Sequence, residues 1–370
     1  MKICILTTNN NKYDDRIYYK LARSLSKIAS VFIINPKVSS IESDGITIIG
    51  NDSEDSVKNS YWIYRNLIII NPDIIQITEP LLLPIAVKYK SKNKVKLIYD
   101  PAEDWISMYK NFSRKPPPLP HLLGYSMRKF EKWFMPKMDF FIASDDWLYN
   151  YYRSMGPCTL IYNYPNADIF SPPTSQNHRD PYKIICHGQQ RKERGLFVMI
   201  KAMALVCQAL PDSSLVLPGH FSYSDEKFKT IQLINDLGLK QKVFLLSAIS
   251  HMKIPELLYS CRIGLLPFLN ITKFRNNIGI KMFEYAACKL PIIAFDLPPA
   301  RAFINKEECG ICVQPDSVDA LADGIINLLI DSFKINILAN NGFMAYKNKY
   351  YWEYQEKDFF AIYHNLINQY

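Results

Sequence analysis

The sequence has no GxGxxG turn after the first strand-like run of either half, which argues against NAD or FAD as a ligand. It also has no unbroken apolar run of the roughly 18 residues that a membrane-crossing helix needs. The longest approach to one, Asn66–Ile77, is interrupted by Asn71, Pro72 and Asp73. Met1–Thr8 reads as a strand with no signal-peptide apolar region before it. The eight cysteines are scattered, and Cys309-Gly-Ile-Cys312 has no second pair to complete a zinc site. Nor does that pair open a helix as a redox motif would, since it leads into a Val-Gln-Pro strand end. A reducing, cytoplasmic setting is expected. Helix-turn-helix, zinc-finger and RNA-binding signatures are missing too, which disfavours nucleic acid as a partner.

What the chain does have is the composition of a folded protein, 48% hydrophobic and 21% charged over 370 residues, a length that suits two domains. The formal net charge of +9 is spread over both halves, with no basic tail. Its densest runs are Lys88, Lys90, Lys92, Lys94 and Lys96, then Arg114, Lys115, Arg128, Lys129 and Lys132. The lysine run reads either as a solvated helix end or as a surface that rests on anionic lipid.

Short apolar runs alternate with helical stretches from end to end. In the first half the runs are Lys2–Thr8, Val31–Asn35, Ile74–Thr78, Val95–Asp100, Phe140–Ser144 and Thr159–Tyr164. Residues 171–181, SPPTSQNHRDP, read as a linker. The pattern restarts at Lys183–Gly188, Leu215–Gly219, Val243–Ser247, Ile263–Phe268, Pro291–Asp296 and Ile311–Gln314. Such runs predict parallel sheets covered on both faces, hence an α/β chain of two doubly wound domains, 1–172 and 181–348. Residues 349–370 read as a terminal amphipathic helix. Ligands of such folds bind outside the carboxyl ends of the strands, so a cleft between the domains is the expected site.

Arg275–Asp296 carries the clearest chemistry. A polar, flexible lead-in of Arg275, Asn276 and Asn277 runs through Gly279 and Ile280 into a helix with Phe283, Ala286, Ala287 and Leu290 on its buried face. Pro291 should stop that helix. Its start offers backbone N–H groups to an anion, Gly279 permits close approach, Lys281 adds charge, and Glu284 could accept from paired sugar hydroxyls. A plain βα turn with solvated Lys and Glu is the competing reading. The loop His187–Gly195, HGQQRKERG, follows the second half's first strand and carries Gly188, Gln189, Arg191, Lys192 and Arg194 before Gly195. Arginine there suits diphosphate oxygens, although an exposed basic turn would look the same. Because the two loops fall in one inferred domain, the joint phosphate-binding reading is favoured.

With these stretches together, the chain resembles GT-B retaining glycosyltransferases of family 4, the glycosyl transferases group 1. NNIGIKMFEYAACKLPIIA resembles the family's Glu-x7-Glu donor signature, with Glu284 on its second Glu, which holds the ribose, and Gly279 and Ile280 on the backbone positions near the diphosphate. HGQQRKERGL resembles the family's Gly-rich basic loop, with Arg194 before glycine. DDRIYYKLARSL, EPLLLPIA, YDPAED, YNYPNADIF and CRIGLLPF match further landmarks, and YYWEYQ is similar to the start of a helix that crosses back onto the first domain. There are departures. Asn276 replaces the first Glu, Lys289 the usual Gly after the helix, and Ala102 the histidine after the fourth strand.

The resemblance implies two Rossmann-like domains facing across a cleft and transfer of a sugar from a nucleoside diphosphate sugar to an acceptor hydroxyl with retention. It implies donor contacts from Gly188, Gln189, Arg191, Arg194, Gly219, Asn277, Gly279, Ile280, Lys281 and Glu284. Catalytic roles fall to Arg194, Lys281, Glu284 and Asn276, with Asp15, Arg16 and Glu103 facing the acceptor. No metal or other cofactor is expected, since Arg194 and Lys281 could neutralise the diphosphate and no Asp-x-Asp motif is present. The acceptor is expected to be a glycan or lipid-linked glycan of bacterial surface polysaccharide, lipopolysaccharide or capsule assembly, made at the inner face of the cytoplasmic membrane. A GT-B nucleotide-sugar epimerase and a catalytically degenerate nucleotide-binding scaffold stay open as alternatives.

Overall fold

The computed structural model describes every residue except 54, 102, 172–178 and 369–370. Ala102 and most of the expected linker 171–181 therefore lie outside the described residues. The chain forms two compact units, Met1–Asn163 with Trp352–Tyr370, and Tyr164–Tyr351.

In the first unit the described strands are β1 (Lys2–Leu6), β2 (Ser30–Ile34), β3 (Ile41–Ser43), β4 (Ile46–Ile49), β5 (Ile74–Ile77), β6 (Lys96–Tyr99), β7 (Phe140–Ala143) and β8 (Cys158–Leu160). They form one sheet in the order β3-β4-β2-β1-β5-β6-β7-β8, parallel except for the β3–β4 hairpin. The near-continuous apolar runs are explained by covering on both faces. Ile3 and Ile5 of β1 pack into one core, Cys4 and Leu6 into the other. The first of these cores is closed by the helix Trp352–Asn368, through Trp352, Phe359, Ile362, Tyr363 and Leu366. The β3–β4 hairpin was not foreseen, although Asp44-Gly45 is a strong hairpin signal. Both residues have positive φ, 55° and 73°.

Buried polar groups tie this unit together. Arg16 Nη2 donates to Asp100 Oδ1 at 2.7 Å, Gln76 Nε2 donates to Asp100 Oδ2 at 2.7 Å, and the Tyr363 hydroxyl donates to Gln76 Oε1 at 2.5 Å.

The second unit's described strands are β9 (Lys183–Ile185), β10 (Ser214–Pro218), β11 (Val243–Leu246), β12 (Ile263–Leu266), β13 (Ile292–Phe295) and β14 (Gly310–Val313). All pair in parallel, in the order β11-β10-β9-β12-β13-β14. The order reverses between β9 and β12, the place where open α/β sheets leave a crevice at their carboxyl ends. Cys309 precedes β14 and Cys312 lies within it, both as free thiols.

Two local expectations are corrected here. Arg275 and Asn276 are no flexible lead-in but the end of a short helix, Thr272–Asn276, held because Phe274 is buried and stacks on Phe268 with ring centroids 4.3 Å apart. The helix after Gly279 ends at Ala287, before Pro291 can act. Lys289 turns left-handed at φ 54°, and the Leu290 amide bonds back to the Tyr285 carbonyl at 2.9 Å. This is the closing turn that glycine usually makes at a helix end.

Candidate functional site

The carboxyl ends of β9, β10 and β12 converge with the helix Lys281–Ala287. After β9 the chain continues parallel pairing for a few residues, Gly188 N donating to Pro218 O at 2.8 Å. It then turns through Gly188 at φ +97°. Gly219, after β10, is pressed against this turn, so that a Cβ on it would stand 1.8 Å from the Gly188 carbonyl oxygen. Gln190 fastens the turn from within by donating its side-chain amide to the Gly188 carbonyl at 2.9 Å. Gln189 reaches the Ser222 hydroxyl at 2.6 Å. Gly195, at φ +81°, opens the following helix where a Cβ would meet the Pro267 carbonyl oxygen at 2.1 Å. The loop is therefore fixed on both sides by close backbone approach.

Two cations meet over this turn. A Cβ built on Gly188 would lie 3.2 Å from Lys281 Nζ and 3.9 Å from Arg194 Nη1. Both charges also lie near one face-forming ring, Lys281 Nζ 5.5 Å and the Arg194 guanidinium 5.9 Å from the centre of Phe268. Lys281 is buried, and among the described residues no carboxylate forms an ion pair with it. Burial foremost, with the Arg194 charge acting the same way, pushes its ammonium down to about 8. Arg191 stacks over Tyr223 at 5.3 Å and pairs with Glu193 at 3.4 Å.

Glu284, one turn beyond Lys281, is buried with its Oε2 3.0 Å from Nε2 of buried His187. That is an ion-pair distance without the alignment of a hydrogen bond. His187 also stands edge-on to Tyr285, centroids 5.4 Å apart, and the Tyr285 hydroxyl donates to the Leu265 carbonyl at 3.2 Å. The ring of Tyr285 fits only because residue 264 of β12 is glycine, where a Cβ would come within 2.6 Å of it.

The structure thus brings Gly188, Arg194, Gly219, Lys281 and Glu284 together. Asn277, Gly279 and Ile280 form the half-buried loop before the helix, and among the described residues no carbonyl accepts from the amides of Gly279 or Ile280. Gly279 does not have a positive φ; a Cβ there would press on the Phe268 ring at 3.0 Å, so packing as well as access calls for glycine. Asn276 is the last residue of the short helix before this loop. His187 was not singled out from the sequence, although its place between the end of β9 and Gly188 marks it as lining the same turn.

In the first unit the acceptor-side expectations meet other tasks. Arg16 is buried and its guanidinium is engaged by Asp100 and the Ile161 carbonyl, which makes it part of the core network. Asp15 binds the buried Lys20 ammonium at 2.8 Å and the Asn163 side-chain amide at 2.9 Å. Glu103 is half-buried after β6.

Residues 170–343 match the family model described as Glycosyl transferases group 1. An uncharacterized glycosyltransferase of Methanocaldococcus jannaschii, MJ1607, is 23% identical over 184 residues, which are 50% of this chain and 45% of that protein. The chain therefore spans under half the length of that curated relative. Among solved structures, sucrose-phosphate synthase from Thermosynechococcus elongatus superposes with a TM-score of 0.80 at 16% identity, covering 100% of both chains. HepE of Anabaena, crystallised with UDP and glucose, superposes with a TM-score of 0.75 at 15% identity, covering 99% of this chain and 100% of that one. The chain has the GT-B glycosyltransferase fold, and its residues 170–343 match glycosyl transferases group 1.

Proposed function

We propose that the protein is a retaining, family 4 glycosyltransferase that takes a sugar from a nucleoside diphosphate sugar and passes it to a hydroxyl of a glycan or lipid-linked glycan. The observation that carries this reading is the pair of cations, Lys281 and Arg194, converging over the left-handed Gly188. Two like charges held together at the switch point of a parallel sheet are unfavourable alone and become favourable around a diphosphate. The UDP in the HepE complex supports the same class of ligand. Glu284, oriented beside His187, has the chemistry to accept from ribose hydroxyls.

In this reading Arg194 and Lys281 offset the charge that grows on the leaving diphosphate, with the loop amides of Gly279 and Ile280 adding donors. The leaving phosphate oxygen takes the proton of the attacking acceptor hydroxyl on the same face of the sugar. No divalent ion is needed for that neutralisation. Asn276 would lie nearest the transferred sugar, and Gln189, Arg191, Gly219 and Asn277 would shape the donor pocket. Asp15 and Glu103 are proposed on the acceptor side, and Arg16 only through the network it holds. We place the work in bacterial surface-polysaccharide or glycolipid assembly, at the cytoplasmic face of the membrane.

The test is incubation with UDP-, GDP-, ADP- and CDP-sugars and glycan acceptors, with and without EDTA, following the anomeric proton of the product by NMR. Transfer with the donor's configuration kept, and unaffected by EDTA, supports the reading. Inverted product or EDTA-abolished transfer overturns the corresponding part. A free altered sugar without acceptor consumption would identify an epimerase instead.

A further inference from the structure

The helix Leu119–Phe134 is anchored to the first unit by one side only. Gly124 lets it approach the helix Trp105–Phe112 so closely that a Cβ would stand 3.3 Å from the Ile106 side chain. Its one acid, Glu131, points inward, where it accepts from the hydroxyls of Tyr99 at 2.5 Å and Tyr152 at 3.3 Å. The outer side is of another character. Leu122, Tyr125, Lys129 and Trp133 follow one another at helical spacing, with Trp133 80%, Tyr125 59% and Leu122 56% exposed. Lys129 covers the ring of Tyr125 at 4.8 Å, and Lys132 is exposed beside Trp133.

Charge on this segment has one sign. From Arg114 to Lys137 the bases are Arg114, Lys115, Arg128, Lys129, Lys132 and Lys137, of which Arg128 turns to Asp104 at 4.0 Å and stacks over Tyr151, and the single acid is the buried Glu131. A soluble partner's surface ordinarily mixes signs, whereas aliphatic and aromatic side chains rimmed only by lysine and arginine match the interface of an anionic bilayer. Tryptophan and tyrosine favour the headgroup level, and long lysines reach from the apolar boundary to phosphate.

We propose that the outer face of the helix Leu119–Phe134, with Arg114 and Lys115 before it, docks the protein on an anionic lipid bilayer. This assigns the contact to that helix and not to the lysine run at residues 88–96, whose one aromatic side chain, Tyr89, is buried. The inference is separable from the donor site, because vesicle binding and nucleotide binding can each fail while the other holds.

The experiment is sedimentation of the full chain with phosphatidylcholine vesicles, with and without phosphatidylglycerol, at low and high salt. Binding is expected only with phosphatidylglycerol and should weaken with salt. Lys129→Glu/Lys132→Glu should lower the partition coefficient at least about twentyfold, given roughly fivefold for each lysine near an anionic surface. Trp133→Ser/Tyr125→Ser should lower it at low and high salt alike. These side chains are exposed, so the variants should keep the wild-type melting curve, and Phe333→Ser on the second unit should bind vesicles as the wild type does. Equal binding to neutral vesicles, or wild-type binding by both double variants, would overturn the proposal.

Discussion

His187 Nε2 and Glu284 Oε2, both buried, lie 3.0 Å apart and join the end of β9 to the helix Lys281–Ala287. The contact holds the carboxylate beside the residue that precedes Gly188. Glu284→Ala is expected to weaken nucleotide binding by about tenfold to a hundredfold, the range for losing a charged hydrogen-bond acceptor. His187→Ala should weaken it less, by loosening the aim of Glu284. Titration calorimetry of both variants checks this, and equal losses would mean that His187 touches the nucleotide itself.

Lys281 sets a conflict between stability and binding. Its folded value of about 8 lies below the ordinary 10.5, so the folded state holds the charged ammonium at a cost below pH 8. By linkage that cost is up to about 3 kcal/mol, and it is relieved as pH rises from about 8 to the ordinary lysine range. Lys281→Met should therefore raise the melting temperature at pH 7, with the gain fading toward pH 10. The same variant should lose nucleotide binding. In the wild type, affinity should fall by up to tenfold per pH unit above about 8, as the ammonium deprotonates.

Arg16 forms a buried pair with Asp100. Removing its guanidinium in Arg16→Met leaves Asp100 buried beside Gln76 without its cation. A loss of about 3–5 kcal/mol in urea unfolding is expected for a broken buried pair. A stable variant with altered acceptor use would return Arg16 to the acceptor side.

Lys289 is strained where glycine is at ease. With φ at 54°, Lys289→Gly should stabilise the second unit by about 1 kcal/mol, unless the gain is offset by lost packing of Lys289 on Phe343. Thermal melts at matched pH decide this.

The strands of both sheets were legible because buried parallel strands read as short apolar runs, Ile74–Ile77 and Ile292–Phe295 among them. β3 carries little apolar signal, whereas β4, Ile-Thr-Ile-Ile beside the Asp44-Gly45 turn, is a strand-like run of only four residues that the longer runs around it overshadow. Gly188, Arg194 and Gly279 stand at loop positions in the sequence, and Lys281 and Glu284 at the start of a helical pattern. The role of His187 was not legible, because it depends on a side chain nearly a hundred residues away. The burial of Arg16 was not legible either. An arginine after a first strand looks exposed until Asp100, Gln76 and Tyr363 are folded around it.

Titration calorimetry with UDP, GDP, ADP and CDP in EDTA reads directly whether Lys281 and Arg194 form a diphosphate site. At least one of these nucleotides should bind the wild type. Arg194→Ala and Lys281→Met should each lose that binding, while the corresponding nucleoside without phosphates should bind weakly to all three proteins. Wild-type affinity retained in both variants would rule out a diphosphate site built on these two cations.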